Sequence, residues 1–239
     1  MHSRATLVRQ LTDLGVGGGA PLMVHASLRR VRPVEGGADT VLDALFECLG
    51  PDGTLLMALG ADANSPFDAL TSPAETDMGV LAEVFRRRAG TRVNDHAAGR
   101  FGAAGPLAAN LLEPTLLHDY HGPGSVMSRF AALGGAVLRL GADPDTVTLT
   151  HWAEYLADVP DKRRVRVRYV RADIGEQWIE GLDDDDGIVG EGEYLPWILE
   201  DFLAAGHART GPVGSCTAEL FPAPAFVNFA VDWMESKLR

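Results

Sequence analysis

The chain has 239 residues, 46% of them apolar, enough to bury a substantial core, and no apolar stretch approaches membrane-spanning length. Its 33 acidic against 21 basic residues leave a net charge of -12, which repels nucleic acid and argues against any polyanionic partner. Two cysteines, Cys48 and Cys216, are too few for a disulfide framework and lack metal-site spacing, while 27 glycines and 14 prolines imply the many tight loops of an enzyme scaffold. Met1 to Thr6 carries no apolar leader pattern, so a soluble, cytoplasmic protein is expected.

Thr6 to Leu14 follows a helical apolar period and stops at the glycine-rich run Gly15 to Gly19. Pro21 to His25 reads as a short apolar strand. Thr40 to Leu49 repeats at helical spacing (Val41, Leu42, Leu45, Phe46, Leu49), and after the turn Gly50-Pro51-Asp52-Gly53 comes a buried strand, Thr54 to Met57. Strand, loop, helix, turn and strand in that order make one crossover unit of an α/β protein. Ala61 to Thr76 is a loop without periodicity, Met78 to Arg88 a helix, and Ala136 to Leu140 another core strand. A helix starting at His151 ends by Leu156, ahead of Pro160. Arg164 to Arg171 alternates charged and apolar residues, the period of a half-exposed strand. Helices over Tyr194 to Ala205 and Ala225 to Lys237 close the chain. The expectation is one α/β domain over residues 1–239, a mixed sheet flanked by helices, with a small sub-lobe built from the alternating strand and the acidic loop after it.

Charge is uneven along the chain. Asp183 to Asp201 holds eight acidic residues and no basic one, whereas Lys162 to Arg171 holds six basic residues and no acidic one. Most such runs are solvated surface; a local negative field that concentrates a cationic small molecule is the sharper alternative. In Thr148-Leu149-Thr150-His151-Trp152-Ala153-Glu154 an imidazole precedes a carboxylate by three residues, one turn apart on one helix face. A histidine beside a carboxylate is a general base poised near neutral pH; the structural alternative is a capping box closed by Glu154 on Thr148 or Thr150. Val24-His25-Ala26-Ser27-Leu28 lies where a core strand gives way to a loop, and Gly36-Gly37 precedes the next helix. Ligands of open α/β sheets collect there, and backbone amides can cradle an anion or an amide chain. Asp95-His96 and Asp119-Tyr120-His121-Gly122-Pro123-Gly124-Ser125 are polar loops able to line a cleft. No dinucleotide, Walker or paired-histidine metal motif occurs.

These segments together resemble the aminoglycoside 3-N-acetyltransferase family. The match rests on Val24 to Val31, Val34 to Val41, Leu49 to Leu55, Gly122 to Ser125, Leu138 to Gly141, Asp145 to Glu154, Gly187 to Val189 and Thr210 to Gly214, in family order. The resemblance implies that family's own mixed-sheet fold. It further implies acetyl transfer from acetyl-CoA to the 3-amino group of a 2-deoxystreptamine antibiotic, hence antibiotic resistance, with no metal. Carried over by position, His151 is the base and Glu154 its support. His25, Ala26, Ser27, Leu28, Val34, Gly36, Gly37, His96 and Ser125 are expected on the coenzyme side, with Arg29 and Arg30 as phosphate partners. Asp62, Tyr120, Asp183, Asp186 and Glu191 are expected around the cationic acceptor. Direct transfer in a ternary complex is expected, from a monomer or homodimer without membrane or nucleic-acid partners. Two departures lie on the acceptor side: Asp95-His96 is followed by Ala97 where the family usually has proline, and Gly60 to Thr76 is short. They motivate the alternative of an acyl-CoA N-acyltransferase of the same fold working on another amine. A third alternative is a non-catalytic aminoglycoside binder, against which the intact His151/Glu154 pair argues.

Overall fold

A computed structural model describes residues 1–190 and 193–238. The first helix, α1 (Arg4–Leu14), starts where the Ser3 hydroxyl accepts the Thr6 N–H and stops at Gly15, whose φ of 105° is the left-handed turn glycine tolerates. Strand β1 (Leu22–Ala26) leads through a single turn, α2 (Leu28–Val31), to α3 (Ala38–Leu49) and β2 (Leu55–Ala58). Then follow α4 (Gly79–Arg87), β3 (Arg92–Val93), β4 (Phe101–Ala104), α5 (Ala108–Leu111), α6 (Val126–Ala132) and β5 (Ala136–Leu140). The remainder comprises α7 (Leu149–Leu156), β6 (Arg164–Arg171), β7 (Gly175–Leu182), α8 (Tyr194–Ala204), β8 (Arg209–Val213), β9 (Cys216–Pro222) and α9 (Ala223–Lys237).

Seven strands form one mixed sheet in the order β3-β4-β2-β1-β5-β9-β8. Its centre is parallel, Met23 lying opposite both Leu56 and Val137, and antiparallel strands close both flanks. Because side chains alternate along a strand, Val24 and Leu138 join Leu7, Leu42, Leu45 and Phe85 in the core beneath α1, α3 and α4. Met23 and Val137 point the other way, into a second core with Leu149, Ala153, Phe202, Phe221 and Phe226 beneath α6 to α9. The crossover unit read from the sequence is thus the centre of the sheet. Strands β4 and β7 to β9 were not legible: Phe101-Gly-Ala-Ala is too small to show a β pattern, and β8 contains Gly211 and Pro212, tolerable because it is an edge strand.

The alternating segment is strand β6, and its partner β7 makes it a separate hairpin in which Arg168 bonds Glu176 at 2.6 Å and Arg166 sits 4.7 Å above the Trp178 ring. This hairpin is tied to the 61–77 loop: Phe67 N–H donates to Val170 O (2.6 Å) and Ala172 N–H to Phe67 O (2.9 Å). A third, small core of Ala61, Phe67, Ala97, Tyr120 and Ile179 seals the joint. The sub-lobe therefore includes the loop before α4, which adds to the alternating strand and acidic segment expected from sequence.

Phe202 is fully buried, with ring centroids 5.2, 5.2 and 5.4 Å from Phe221, Phe226 and Phe229. Phe202→Ala is expected to cost about 3–5 kcal/mol of folding stability, measured as a lowered urea midpoint at unchanged slope.

Candidate active site

The N-terminal turn of α7 carries the His/Glu pair. Thr148 is already helical (φ −51°, ψ −26°) and caps nothing with its side chain, so the capping-box alternative is not realised. Glu154 points inward instead and is fully buried. One of its oxygens lies 2.9 Å from His151 Nδ1; the other accepts the Tyr194 hydroxyl at 2.5 Å. The Tyr194 oxygen in turn accepts the Ile188 N–H at 2.9 Å. With both carboxylate oxygens accepting, the imidazole proton sits on Nδ1 and the Nε2 lone pair is left free. Burial pulls the His151 pKa down, but the charge of Glu154, its hydrogen bond and the charges of Asp184 and Asp183 prevail and hold it above the ordinary 6.5.

A second layer stands behind this pair. The buried His121 ring stacks on His151 (centroids 5.2 Å apart, planes 26°) and its Nε2 is 3.5 Å from Asp184. Tyr120 donates its hydroxyl to the same Asp184 oxygen at 2.6 Å. Desolvation pushes the Asp184 carboxyl upward, yet the His121 hydrogen bond and the His151 and His121 charges hold it well below the usual carboxylate range. Asp183 and Asp186 have a different occupation. Asp183 is buried, accepts the Asp185 and Asp186 N–H groups at 3.1 and 3.0 Å, and pairs with Arg163 Nε at 3.1 Å. Asp186 pairs with the same guanidinium at 3.1 Å.

Two cavities adjoin at Asp77. The larger, about 670 Å³, runs from the carboxyl end of β1 to His151. His25, Ala26, Ser27, Leu28, Arg29 and Gly37 line it, as do Arg32, Met78 and Gly79, which no sequence motif had marked. Positive φ angles at Gly36 and Gly37 (71° and 66°) make the turn into α3, and a Cβ at Gly36 would meet the Thr40 hydroxyl at 2.5 Å. Other expected coenzyme-side residues lie elsewhere. Arg30 donates to the Gly141 carbonyl at 2.7 Å and to Asp143 at 2.5 Å. Val34 is buried in the core. His96 bonds the Leu116 and Leu117 carbonyls and the Gly99 N–H, so both its nitrogens are occupied by its own loop and the loop after α5. Ser125 is buried and caps α6 by accepting the Ser128 N–H.

The smaller cavity, about 380 Å³, is lined by Asp62, Glu75 and Asp77 on the 61–77 loop, with Phe67 behind. Burial, then the charges of Asp77, Asp62, Asp184 and Asp185, raise the Glu75 carboxyl, so these five acids share one field. Of the acceptor-side residues expected from sequence, Asp62 lies on this wall, Tyr120 donates its hydroxyl to Asp184, and Glu191 falls outside the described residues. Glu75, Asp77 and Tyr194 carried no sequence signal, while His121 was marked only as part of a loop able to line a cleft and Asp184 only as part of the acidic run. In a run of four aspartates nothing local distinguishes the one that faces a histidine, and Tyr194 lies 40 residues from the carboxylate it holds. No helix among the described residues is long and apolar enough to cross a membrane, and no group of three or more His, Cys, Asp or Glu side chains there could hold a metal ion.

The family described as aminoglycoside 3-N-acetyltransferase matches residues 23–235. The aminoglycoside N(3)-acetyltransferase VIII of Streptomyces fradiae is 36% identical over 266 residues, covering 99% of this chain and 93% of that protein. Among solved structures, AAC-IIIb in a binary complex with CoASH superposes with a TM-score of 0.93 at 34% identity, covering 99% of this chain and 97% of that one. AAC-VIa bound to sisomicin gives 0.90 at 34% identity, covering 99% and 98%.

The two cavity histidines are expected to titrate in opposite senses. Burial and the charges of Arg139 and His151 pull His25 down to about 3, so it stays neutral from pH 5 to 8, whereas His151 has its midpoint above 6.5. Between about pH 3 and 6.5 the unfolded chain binds the extra proton at His25, so stability from that site is lost as pH falls through this window. The His151 contribution is present below 6.5 and lost as pH rises through its raised value. Ring-proton NMR titration checks both midpoints, and Glu154→Gln is expected to lower that of His151 while leaving His25 silent.

Proposed function

The chain belongs to the aminoglycoside 3-N-acetyltransferase family, and from that premise we propose that it transfers the acetyl group of acetyl-CoA to the 3-amino group of a 2-deoxystreptamine aminoglycoside, conferring resistance. The observation that carries this reading is the position of His151. It lines the larger cavity while its Nδ1 is committed to a buried carboxylate, and the charge of Asp184, which also bears on Glu75 in the smaller cavity, bears on it.

In this reading the larger cavity takes acetyl-CoA, with His25, Ala26, Ser27 and Leu28 along the pantetheine and Arg29 and Arg32 at the mouth for the phosphates. Asp62, Glu75, Asp77 and Asp184 receive the ammonium groups of the acceptor, whose several positive charges suit a partly desolvated carboxylate cluster. Asp183 and Asp186 serve the same site at one remove: with Arg163 they fix the loop that presents Asp184. The chemistry then needs only one protein base. The acceptor amine, having released its ammonium proton to solvent, attacks the thioester carbon. His151 Nε2 takes the second proton as the C–N bond forms. The tetrahedral intermediate collapses with cleavage of the C–S bond, and the thiolate leaves with the proton held by His151. Glu154, charged and fixed by Tyr194, stabilises the imidazolium formed in between. The cytoplasm, where acetyl-CoA is made and used, is the compartment this reading requires.

Thiol release from acetyl-CoA across a panel of aminoglycosides and unrelated amines tests the proposal. Aminoglycosides are expected to be turned over and simple amines not; the reverse pattern would point to another acceptor. His151→Ala is expected to lower kcat about 10²–10⁴-fold. Asp184→Asn is expected to raise the acceptor KM roughly tenfold, the scale of one charge-assisted contact, with the KM for acetyl-CoA unmoved.

A further inference from the structure

His25 occupies an unusual position for a histidine. It is the penultimate residue of β1, in register with Arg139 of β5, which is in turn opposite Glu219 of β9. In-register neighbours of adjacent strands project from one face, and His25 alternates with Met23, whose core includes Leu149 and Ala153 of α7. The imidazole therefore leaves the sheet on the side of α7 and lines the same cavity as His151.

No described side chain or backbone group bonds this ring. Its Nε2 is enclosed without a partner, and so is Nε of the neighbouring Arg139, whose other nitrogens hold Glu219 at 3.3 Å and the Ala142 carbonyl at 2.6 Å. A neutral imidazole always has one N–H and one lone pair to satisfy. Nε2 is enclosed with no acceptor in reach and the Arg139 cation bears on the ring, so the lone pair belongs on Nε2 and the proton on Nδ1, the nitrogen that can find an acceptor in the cavity. Nδ1, unlike Nε2, is not enclosed, and it carries its N–H toward the cavity assigned to the acyl donor, where a ligand oxygen can accept it.

We propose that His25 is a second catalytic residue, whose neutral ring donates its Nδ1–H to the thioester carbonyl oxygen of the acyl-CoA. The inference rests on the acyl-transfer reading above and deepens it. As the amine attacks, the carbonyl π pair moves onto oxygen and the developing charge is met by this donor. When the C–S bond breaks the carbonyl re-forms and the contact relaxes, so His25 gives up no proton. A neutral ring suits this role, since an imidazolium there would oppose the protonation of His151 in the same cavity. Arg139 and Glu219 fix the tautomer without touching the substrate.

The test compares two nearly isosteric replacements. Asparagine keeps an amide N–H near the position of Nδ1; leucine keeps the volume and no donor. His25→Leu is expected to lower kcat for acetyl-CoA-dependent aminoglycoside acetylation about 10²–10³-fold, with the CoASH Kd from calorimetry within about threefold of wild type. His25→Asn is expected to recover at least about tenfold of that loss at a similar melting temperature. If His25→Leu does not fold, His25→Asn is compared with His25→Gln, which places its amide at Nε2 instead, and the asparagine variant is expected to be the faster. A kcat within about threefold of wild type in His25→Leu, a loss confined to KM and Kd, or equal rates for asparagine and its comparator overturns the proposal. A wild-type protein with no thiol release on any aminoglycoside defeats the acyl-transfer reading and this inference with it. An active wild type with a dead His151→Ala and a full-speed His25→Leu defeats this inference alone.

Discussion

A buried carboxylate organises this molecule. Glu154 has no access to solvent, and an ion in that position is tolerated only when its oxygens are satisfied. The two partners it uses come from different parts of the chain: His151 from its own helix and Tyr194 from the start of α8, itself held by the Ile188 N–H that follows the acidic loop. One charge thereby ties the start of α8 to α7 and sets the orientation of the imidazole. A buried ionic group of this kind adds little net stability over apolar packing of the whole network, so what its burial secures is a histidine that gains and loses a proton at fixed geometry.

The same carboxylate explains why the electrostatics differ so sharply over a short distance. His25 and His151 border one cavity, yet burial and Arg139 depress the first while Glu154 and the acidic loop raise the second. A site that moves protons at one point and stabilises negative charge at another needs that separation. Asp184 contributes to both sides, holding His121 and Tyr120 behind the base and adding its charge to the wall of Asp62, Glu75 and Asp77.

What the sequence revealed follows the range of the interactions involved. The His151/Glu154 pair, the β1–α3–β2 crossover and the glycine turn at Gly36-Gly37 are set by spacing within one or two elements, and all were legible. The acidic character of the side expected to take the acceptor was legible as composition, and Asp62 was legible individually, but Glu75 and Asp77 were not. Asp183 and Asp186 stand out in the run, yet they are consumed by Arg163 in shaping the loop, and the 61–77 loop supplies Glu75 and Asp77. His96 and Ser125 look like cleft residues because they are polar and flanked by glycine; their polar atoms are spent on loop carbonyls and a helix cap. Tyr194 and Arg32 depend on tertiary contacts that no local pattern encodes, and the stacking of His121 on His151 likewise lies beyond what its cleft-like loop reveals.

In the proposed reaction the acetyl group passes directly from thioester to amine, without an acyl-enzyme. A covalent route needs a nucleophile with a base beside it in the acyl-donor cavity. Cys48 lies against α1, accepting from or donating to Thr12 at 3.7 Å, and burial raises its thiol. Cys216 sits at the β8–β9 turn with its sulfur 3.2 Å from the Val213 carbonyl, and burial raises it as well. Neither lines the cavity that reaches His151. In the proposed reading His151 stands where the coenzyme cavity approaches Asp184 and the acidic wall, and its one proton suffices for both halves of the reaction: taken from the incoming amine, it is the proton the departing thiolate needs. Direct transfer of this kind asks nothing of either cysteine, in keeping with their ordinary packing positions.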